Sequence, residues 1–296
     1  MPWGERYCAP GDENGMVLKE DITAKPIYQV DRGTFEGPVW VEDLQSLLFC
    51  DLRKVVKLQR RGNNGATVSN FTNSSPCAGL AINEDESALY LTQGFGANNP
   101  QLGYTAFTDV KVTKLADRVG NQKFQRPNDV AYRTADGSAY LTDPLAMAIF
   151  RVTPDGTATK AVNMNPIGRP NGITFSLDEK TLYVAGDRNP NGKVWAFPVA
   201  DDGSLGQPTI LIDKGLGNAD GMAIDCAGNL YVASSSGRVL KIFDSQGNAL
   251  GSITSTLARA KVSNPAFGGP DRKTLFFTSN SGEIYAVDLD IVGLPY

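Results

Sequence analysis

The sequence contains no histidine. That absence removes Ser-His-Asp and Cys-His nucleophile activation, imidazole metal sites and HExxH helices. Hydrolytic chemistry is left to carboxylates, Tyr, Lys, Arg or a cation held by oxygen atoms. Positive charge is also scarce. The 28 Lys and Arg face 32 Asp and Glu, a net charge of −4, which argues against a nucleic-acid groove or a basic membrane face. No apolar run approaches the ~20 residues that span a bilayer. The opening Met1-Pro2-Trp3-Gly4-Glu5-Arg6 lacks the apolar stretch of a secretion signal. The chain is therefore expected to be soluble, either cytoplasmic or exported with its leader already removed. Only four cysteines occur (Cys8, Cys50, Cys77 and Cys226), and none forms a CxxC pair. Cys50 and Cys226 sit in apolar, strand-like surroundings and are expected to be buried thiols. A disulfide between Cys8 and Cys77 is open.

Turn-forming residues, by contrast, are abundant. Gly contributes 31 and Pro 17 of 296 residues, against a usual share of about 12% for the two together. Between the turns one strand-like phrase recurs: Ser46-Leu47-Leu48-Phe49, Ala88-Leu89-Tyr90-Leu91, Ala139-Tyr140-Leu141-Thr142, Thr181-Leu182-Tyr183-Val184, Asn229-Leu230-Tyr231-Val232 and Thr274-Leu275-Phe276-Phe277. Measured from Leu48 through Tyr90, Tyr140, Tyr183 and Tyr231 to Phe276, the spacings are 42, 50, 43, 48 and 45 residues. After most of these phrases comes a second alternating run, such as Ile149-Phe150-Arg151-Val152 or Val239-Leu240-Lys241-Ile242. Six antiparallel repeats of this length, with no sustained helical period, predict an all-β, six-bladed β-propeller. Residues 1–23 stand before the pattern as an N-terminal extension, and 24–296 form one propeller domain. The sixth repeat runs out after its third strand, near Leu289. The apolar segment Ala24 to Val30 is therefore expected to supply the missing outer strand and latch the ring shut.

Twelve residues before each mark, eleven in the fifth repeat, stand Glu36, Ala78, Asn128, Asn171, Asp220 and Asn264. The first strand of a propeller blade lines the axis, so equivalent positions converge on one place. Five of the six carry a carboxylate or a carboxamide. Asn or Asp before Gly is ordinary turn chemistry at any single site. Its recurrence at equivalent positions points instead to a ring of oxygen donors, which suits a hard divalent cation. Ca²⁺ fits best, with Zn²⁺, Mn²⁺ or Mg²⁺ as alternatives.

The phrases Phe35-Glu36-Gly37-Pro38-Val39-Trp40, Arg126-Pro127-Asn128-Asp129, Arg169-Pro170-Asn171-Gly172, Asp220-Gly221-Met222 and Asn264-Pro265-Ala266-Phe267-Gly268-Gly269 occur in that order. Together, over residues 30–290, they resemble the regucalcin/gluconolactonase-like family. The resemblance implies a six-bladed propeller with a divalent cation in its channel. The family includes sugar lactonases and, more distantly, a diisopropyl fluorophosphatase. It also implies that Glu36, Asn128, Asn171 and Asp220 surround the cation and that Arg126 contacts substrate. The pattern departs from relatives after the second-blade strand, where Thr92-Gln93-Gly94 replaces an acidic residue or His, and in the sixth blade, where Asn264 stands in place of a His.

These readings define an expected activity: a hydrolase that opens a small or sugar-type lactone. The cation would polarise the carbonyl, Asp220 would activate water and Glu36 would anchor the site. Arg126, Asn128 and Gln93 would contact substrate. A phosphotriesterase-like activity at the same site and a non-catalytic ligand-binding propeller are the alternatives. The expected partner is a small lactone or ester, with no nucleic acid and no membrane span, on a monomer or weak dimer. Substrate choice is expected from mouth loops, above all Gly94 to Tyr104 in the longest spacing.

Overall fold

The computed structural model describes residues 1–15, 21–52, 54–60, 65–72, 76–94, 99–187 and 192–295. Six antiparallel sheets follow the six repeats, each strand paired to the next in sequence. The inner strands are Phe35–Val41, Leu80–Ile82, Val130–Tyr132, Pro170–Phe175, Ala219–Ile224 and Val262–Gly268. Each inner strand packs against those of its neighbours, and blade six meets blade one, so the ring closes. The repeated marks lie on the second strands: Ser46–Asp51, Ala88–Gln93, Ala139–Asp143, Thr181–Gly186, Leu230–Ser234 and Thr274–Ser279.

A contact between blades explains why the marks are large. Tyr90 reaches Tyr132 of the next blade with ring centroids 5.4 Å apart, and Tyr140 reaches Phe175 at 5.3 Å. Tyr231 meets Phe267 at 5.1 Å, and Phe276 closes the circle by stacking on Trp40 at 5.7 Å. Aromatic pairs of this geometry add about 0.5–1.5 kcal/mol each beyond the area they bury. The same four contacts set the seam between neighbouring sheets.

The N-terminal latch is present and is split. Pro26–Gln29 pairs antiparallel with Glu283–Asp288 and becomes the fourth strand of blade six. Ile22–Ala24 instead adds in parallel to Ala249–Ser255, the outer strand of blade five. One short segment thus covers two sheet edges.

The end of the channel reached by the last residues of the inner strands is closed. A five-residue helix, Trp3–Tyr7, lies across it. Trp3 is fully buried, stacks on Tyr7 and donates its indole N–H to the Tyr132 carbonyl. The Tyr7 hydroxyl donates to the Glu86 carboxylate, and the Arg272 guanidinium sits 4.4 Å from the Tyr7 ring centre. From the other terminus, Leu294 bonds Ile224 and Phe267 through its backbone, and Pro295 accepts the Trp40 N–H.

Cys50 and Cys226 are buried, as expected, but they are not thiols. None of the four is a free thiol: Cys8 is bonded to Cys226 and Cys50 to Cys77. Cys8 follows the N-terminal helix at the closed end, beside the turn that holds Cys226. Cys77 immediately precedes the ring position Ala78 at the opposite end, so a Cys8–Cys77 bridge is topologically excluded. Cys50, at the far end of a second strand, faces the start of the neighbouring blade and finds Cys77 there.

The long spacing between the second and third marks also resolves differently from the loop expected. Residues 95–98 lie outside the described residues. Tyr104 belongs to the regular strand Gln101–Ala106. Extra length is taken up by a two-stranded hairpin, Arg118–Val119 with Gln122–Lys123, ahead of blade three. Among the described residues no helix is long and apolar enough to cross a membrane.

Candidate functional site

The six equivalent positions lie at the open end, where the inner strands begin. Regular pairing is interrupted there in four blades: register shifts fall between Glu36 and Val39, Pro170 and Ile173, Ala219 and Met222, and Val262 and Pro265. A β-bulge re-aims side chains that a flat strand would send sideways. In blades two and three the regular strand starts later. Ala78 and Asn128 keep the equivalent place by donating their N–H groups to Thr92 and Thr142 carbonyls at 3.0 and 2.8 Å. Close approach of neighbouring blades crowds the residue after the ring position. A Cβ on Gly37 would lie 2.2 Å from the Ala78 carbonyl oxygen, and one on Gly172 would lie 2.2 Å from that of Asp220. Only glycine fits such contacts.

A second set of groups, absent from the sequence reading, ties the ring together. The Thr92 hydroxyl accepts the Gly79 N–H at 2.7 Å and donates to the Asn128 carbonyl at 2.5 Å. The Thr142 hydroxyl accepts the Asp129 N–H at 3.2 Å and donates to the Asn171 carbonyl at 2.5 Å. In both cases a second strand grips the ring residue of the next blade. Blade six reaches blade one through Ser263, whose hydroxyl donates to the Phe35 carbonyl, beside Glu36, at 2.7 Å. Between blades one and two the Cys50–Cys77 bond takes this place: Cys50 is the cross-strand partner of Glu36. The repeated Leu-Thr or Phe-Thr after the marks was the available signal.

The ring brings four of the expected residues together. The Asn128 amide donates to the Asn171 side-chain oxygen, and Asn171 in turn hydrogen-bonds Asp220. Glu36 feels the charge of Asp220. Burial, reinforced by that charge, raises the Glu36 carboxyl well above the usual carboxylate range, while a hydrogen bond from Asn280 holds it down. Burial and the Asp129 charge push Asp220 up to about 7, opposed by the Ser235 hydroxyl, the Arg169 charge and the Asn171 amide. Like charges crowded out of water repel, and protonation or a bound cation relieves them.

Asp129 lies beside these four residues, although the sequence marks it only as part of a motif. Its carboxylate lies just below the ring between blades three and four and accepts the N–H groups of Val130 at 2.9 Å and Ile173 at 3.2 Å. Burial pushes it up to about 7. Its signal was an Asp in a place that is Gly after Glu36, Ala78, Asn171 and Asp220. Below it the channel narrows to a void of about 20 Å³ lined by Pro38, Leu80, Met222 and Asn264 among others.

The remaining candidates are placed as follows. Asn264 is buried within the inner strand of blade six, its backbone N–H donating to the Thr278 hydroxyl at 3.3 Å. Arg126 is partly exposed, and its backbone N–H donates to Asp143 at 2.9 Å. Gln93 ends its strand fully buried, and its side-chain oxygen accepts from the Gln101 amide at 2.6 Å, a contact that runs outward within the blade.

The donor set fits a hard divalent cation. Two carboxylates and two carboxamides supply only oxygen ligands, and their mutual hydrogen bonds show that the amide heads reach a common place. One amide oxygen nearby, Oδ1 of Asn280, is buried without a hydrogen-bond partner. Among the described residues no three His, Cys, Asp or Glu side chains cluster as a cation cage, so a cation here must draw on the asparagines.

Residues 34–281 match the SMP-30/Gluconolactonase/LRE-like region. The gluconolactonase of Zymomonas mobilis is 28% identical over 282 residues, covering 83% of this chain and 76% of that protein. Among solved structures, a Xanthomonas campestris gluconolactonase superposes with a TM-score of 0.74 at 23% identity, covering 96% of this chain and 99% of that one. Regucalcin from Agrobacterium tumefaciens, described as a calcium-binding protein, superposes with a TM-score of 0.72 at 20% identity, covering 94% and 98%. The fold these structures share is the one described above, and the sequence match spans all six inner strands. This chain belongs to the SMP-30/gluconolactonase/LRE-like family.

Proposed function

We propose that the protein is a divalent-cation-dependent lactonase whose active site is the ring at the open end of the channel. The observation that carries this reading is the convergence of Glu36, Asn128, Asn171 and Asp220 from four blades, with two carboxylates whose proton affinity is raised by burial and mutual repulsion. The family relationship, and the naming of a relative as a gluconolactonase, support it from an independent side.

Glu36, Asn128, Asn171 and Asp220 would hold the cation, Ca²⁺ before Zn²⁺, Mn²⁺ or Mg²⁺. Such an ion polarises a lactone carbonyl and stabilises negative charge growing on its oxygen. Asp220 takes the proton from the attacking water as the new C–O bond forms. It returns that proton to the ring oxygen as the old C–O bond breaks, so one hydroxy acid leaves per water consumed. Burial raises the proton affinity of Asp220 in the cation-free ring, and a bound cation would lower it and favour the base form. Asn171 and Ser235 fix the orientation of the Asp220 carboxylate through hydrogen bonds. Glu36, braced by Asn280, anchors the opposite side. Arg126 and Asn128 orient the polar part of the substrate.

The test is proton release in a pH-stat with aldonolactones, simple aliphatic lactones and an aromatic lactone. It is run before and after chelation, with Ca²⁺, Mn²⁺, Zn²⁺ and Mg²⁺ returned singly. Turnover lost on chelation and regained with one ion is the expected result. Lactone turnover that survives complete chelation contradicts the proposal.

A further inference from the structure

Four places beyond the mark stands Ser235 in blade five and Asn280 in blade six. Each lies just past the end of a second strand, Leu230–Ser234 or Thr274–Ser279, and each meets one of the two ring carboxylates. The Ser235 hydroxyl bonds Asp220, and the Asn280 side chain bonds Glu36 across the seam to blade one. Their backbones are placed alike. The Ser235 N–H donates to the Asn218 carbonyl at 2.9 Å, and the Asn280 N–H donates to the Lys261 carbonyl at 2.8 Å. In blade six the turn is held further. The Ser279 hydroxyl accepts the N–H groups of Lys261 at 3.1 Å and Ser281 at 3.2 Å, and the Gly282 carbonyl accepts the Val30 N–H at 2.9 Å. A side chain mounted on such a turn is positioned before any ligand arrives.

The two ends of the Asn280 amide have different partners. A carboxylate only accepts, so Nδ2 is the end that meets Glu36. That commitment leaves Oδ1 as the remaining acceptor, and Oδ1 is buried with no hydrogen-bond partner. Buried acceptors in folded proteins are nearly always paired, and an unpaired one beside a site is explained by a group the site takes up. The neighbouring charges are negative, Glu36 in contact and Asp220 beyond it, so the group that suits this oxygen is a cation. Four ring residues binding through one oxygen each also fall short of the 6–8 oxygens that Ca²⁺ takes. We propose that Asn280 is a further protein ligand of the ring cation, bound through Oδ1 and supplied by a blade-six turn outside the six equivalent positions. The inference rests on the cation-dependent reading of the ring and completes its ligand set.

Affinity alone does not test this, because losing a group that only steadies a ligand also costs about 10–100-fold in metal binding. The experiment therefore counts bound waters. Eu³⁺, an oxygen-seeking stand-in for Ca²⁺, is loaded into chelated protein, and its luminescence lifetime in H₂O and in D₂O gives the number of waters on the ion. The side chain is partly exposed and lies on a turn, so the fold tolerates its replacement. Asn280→Ala should gain about one bound water over the wild type, and calorimetry should show Ca²⁺ affinity lowered about tenfold or more. Asn280→Asp keeps an oxygen in that place and should hold the wild-type water count. The same count in wild type and Asn280→Ala overturns the inference, whatever the affinity, and leaves Asn280 as a brace for Glu36 in a cation site that still stands. A wild type that binds neither Ca²⁺ nor Eu³⁺ overturns the cation site itself, and the added ligand with it.

Discussion

The two ends of the channel are made by the same six inner strands and have opposite chemistry. At the open end Glu36, Asn128 and Asn171 are partly exposed, and the carboxylates there hold protons more tightly than usual. At the closed end, four residues further along the same strands, Trp40, Tyr132 and Phe175 are buried and meet aromatic marks of the preceding blade. Trp3, Tyr7 and the chain around Leu294 complete the seal. The difference divides the labour of one repeat. Its apolar end holds the blades in register and supplies stability. Its polar end is left electrostatically strained and is held in place from behind by threonine hydroxyls and a disulfide. Damage at one end should therefore register as lost activity, and damage at the other as lost stability.

The largest separation is expected from Asp220→Asn. Loss of a positioned base costs about 10²–10⁴ in rate; we expect kcat to fall about 10³-fold, with the cation-free melting temperature unchanged or raised because a buried charge is gone. The counterpart is Trp3→Ala, which should cost about 3–5 kcal/mol in denaturant unfolding, the usual cost of truncating a buried aromatic, with kcat/KM nearly unchanged in the remaining folded protein. A large loss of turnover in folded Trp3→Ala would erase the distinction between the two ends.

The disulfides sharpen the same contrast. Replacing Cys50 and Cys77 by serine opens a link across 27 residues, and replacing Cys8 and Cys226 opens one across 218. Chain-entropy arguments give each a cost of roughly 3–5 kcal/mol. Only the Cys50–Cys77 pair, adjacent to Glu36 and Ala78, should also weaken cation binding. Equal effects of the two double variants on cation affinity would count against the positioning role.

The pH response has a definite sign. Asp129 and Asp220 are pushed up to about 7 from an ordinary value of 3.8, so the folded, cation-free protein keeps protons that the unfolded chain releases. Their contribution to stability is complete below about pH 4 and is lost as pH rises through 7. The melting temperature of chelated protein should fall across that window, and a saturating cation should flatten the fall. A chelated protein that grows more stable from pH 5 to 7 would refute the strained-ring account. The smallest effect is expected from Thr142→Val, which removes the hydroxyl between Asp129 and Asn171. A cost of about 1–2 kcal/mol and a severalfold drop in turnover should accompany each other there.

Much of the fold was legible because a propeller writes itself into the chain as a period. The six marks fell on six second strands, and the missing outer strand of the sixth blade was supplied by residues 26–29. The closed end was not legible. Trp3 and Tyr7 stand outside the repeats, and their partners Tyr132 and Glu86 are 129 and 79 residues away. No local pattern announces such contacts. The cysteine pairing was not legible for a related reason: which thiols meet depends on which end of a strand each occupies, and apolar context does not report that. In the site, equivalence between repeats brought Glu36, Asn128, Asn171 and Asp220 forward as a set. Asp129, Ser235 and Asn280 act on that set from adjacent positions, where a single polar residue looks like turn chemistry.

The central claim is that the ring at the open end binds one divalent cation. Isothermal titration of Ca²⁺ into chelated wild type, Glu36→Gln and Asp220→Asn tests it directly. The account predicts one site per chain in the wild type, with affinity lost or reduced by at least tenfold in both variants, the size expected for removing a charged ligand. Unchanged stoichiometry and affinity in Glu36→Gln and Asp220→Asn would contradict it.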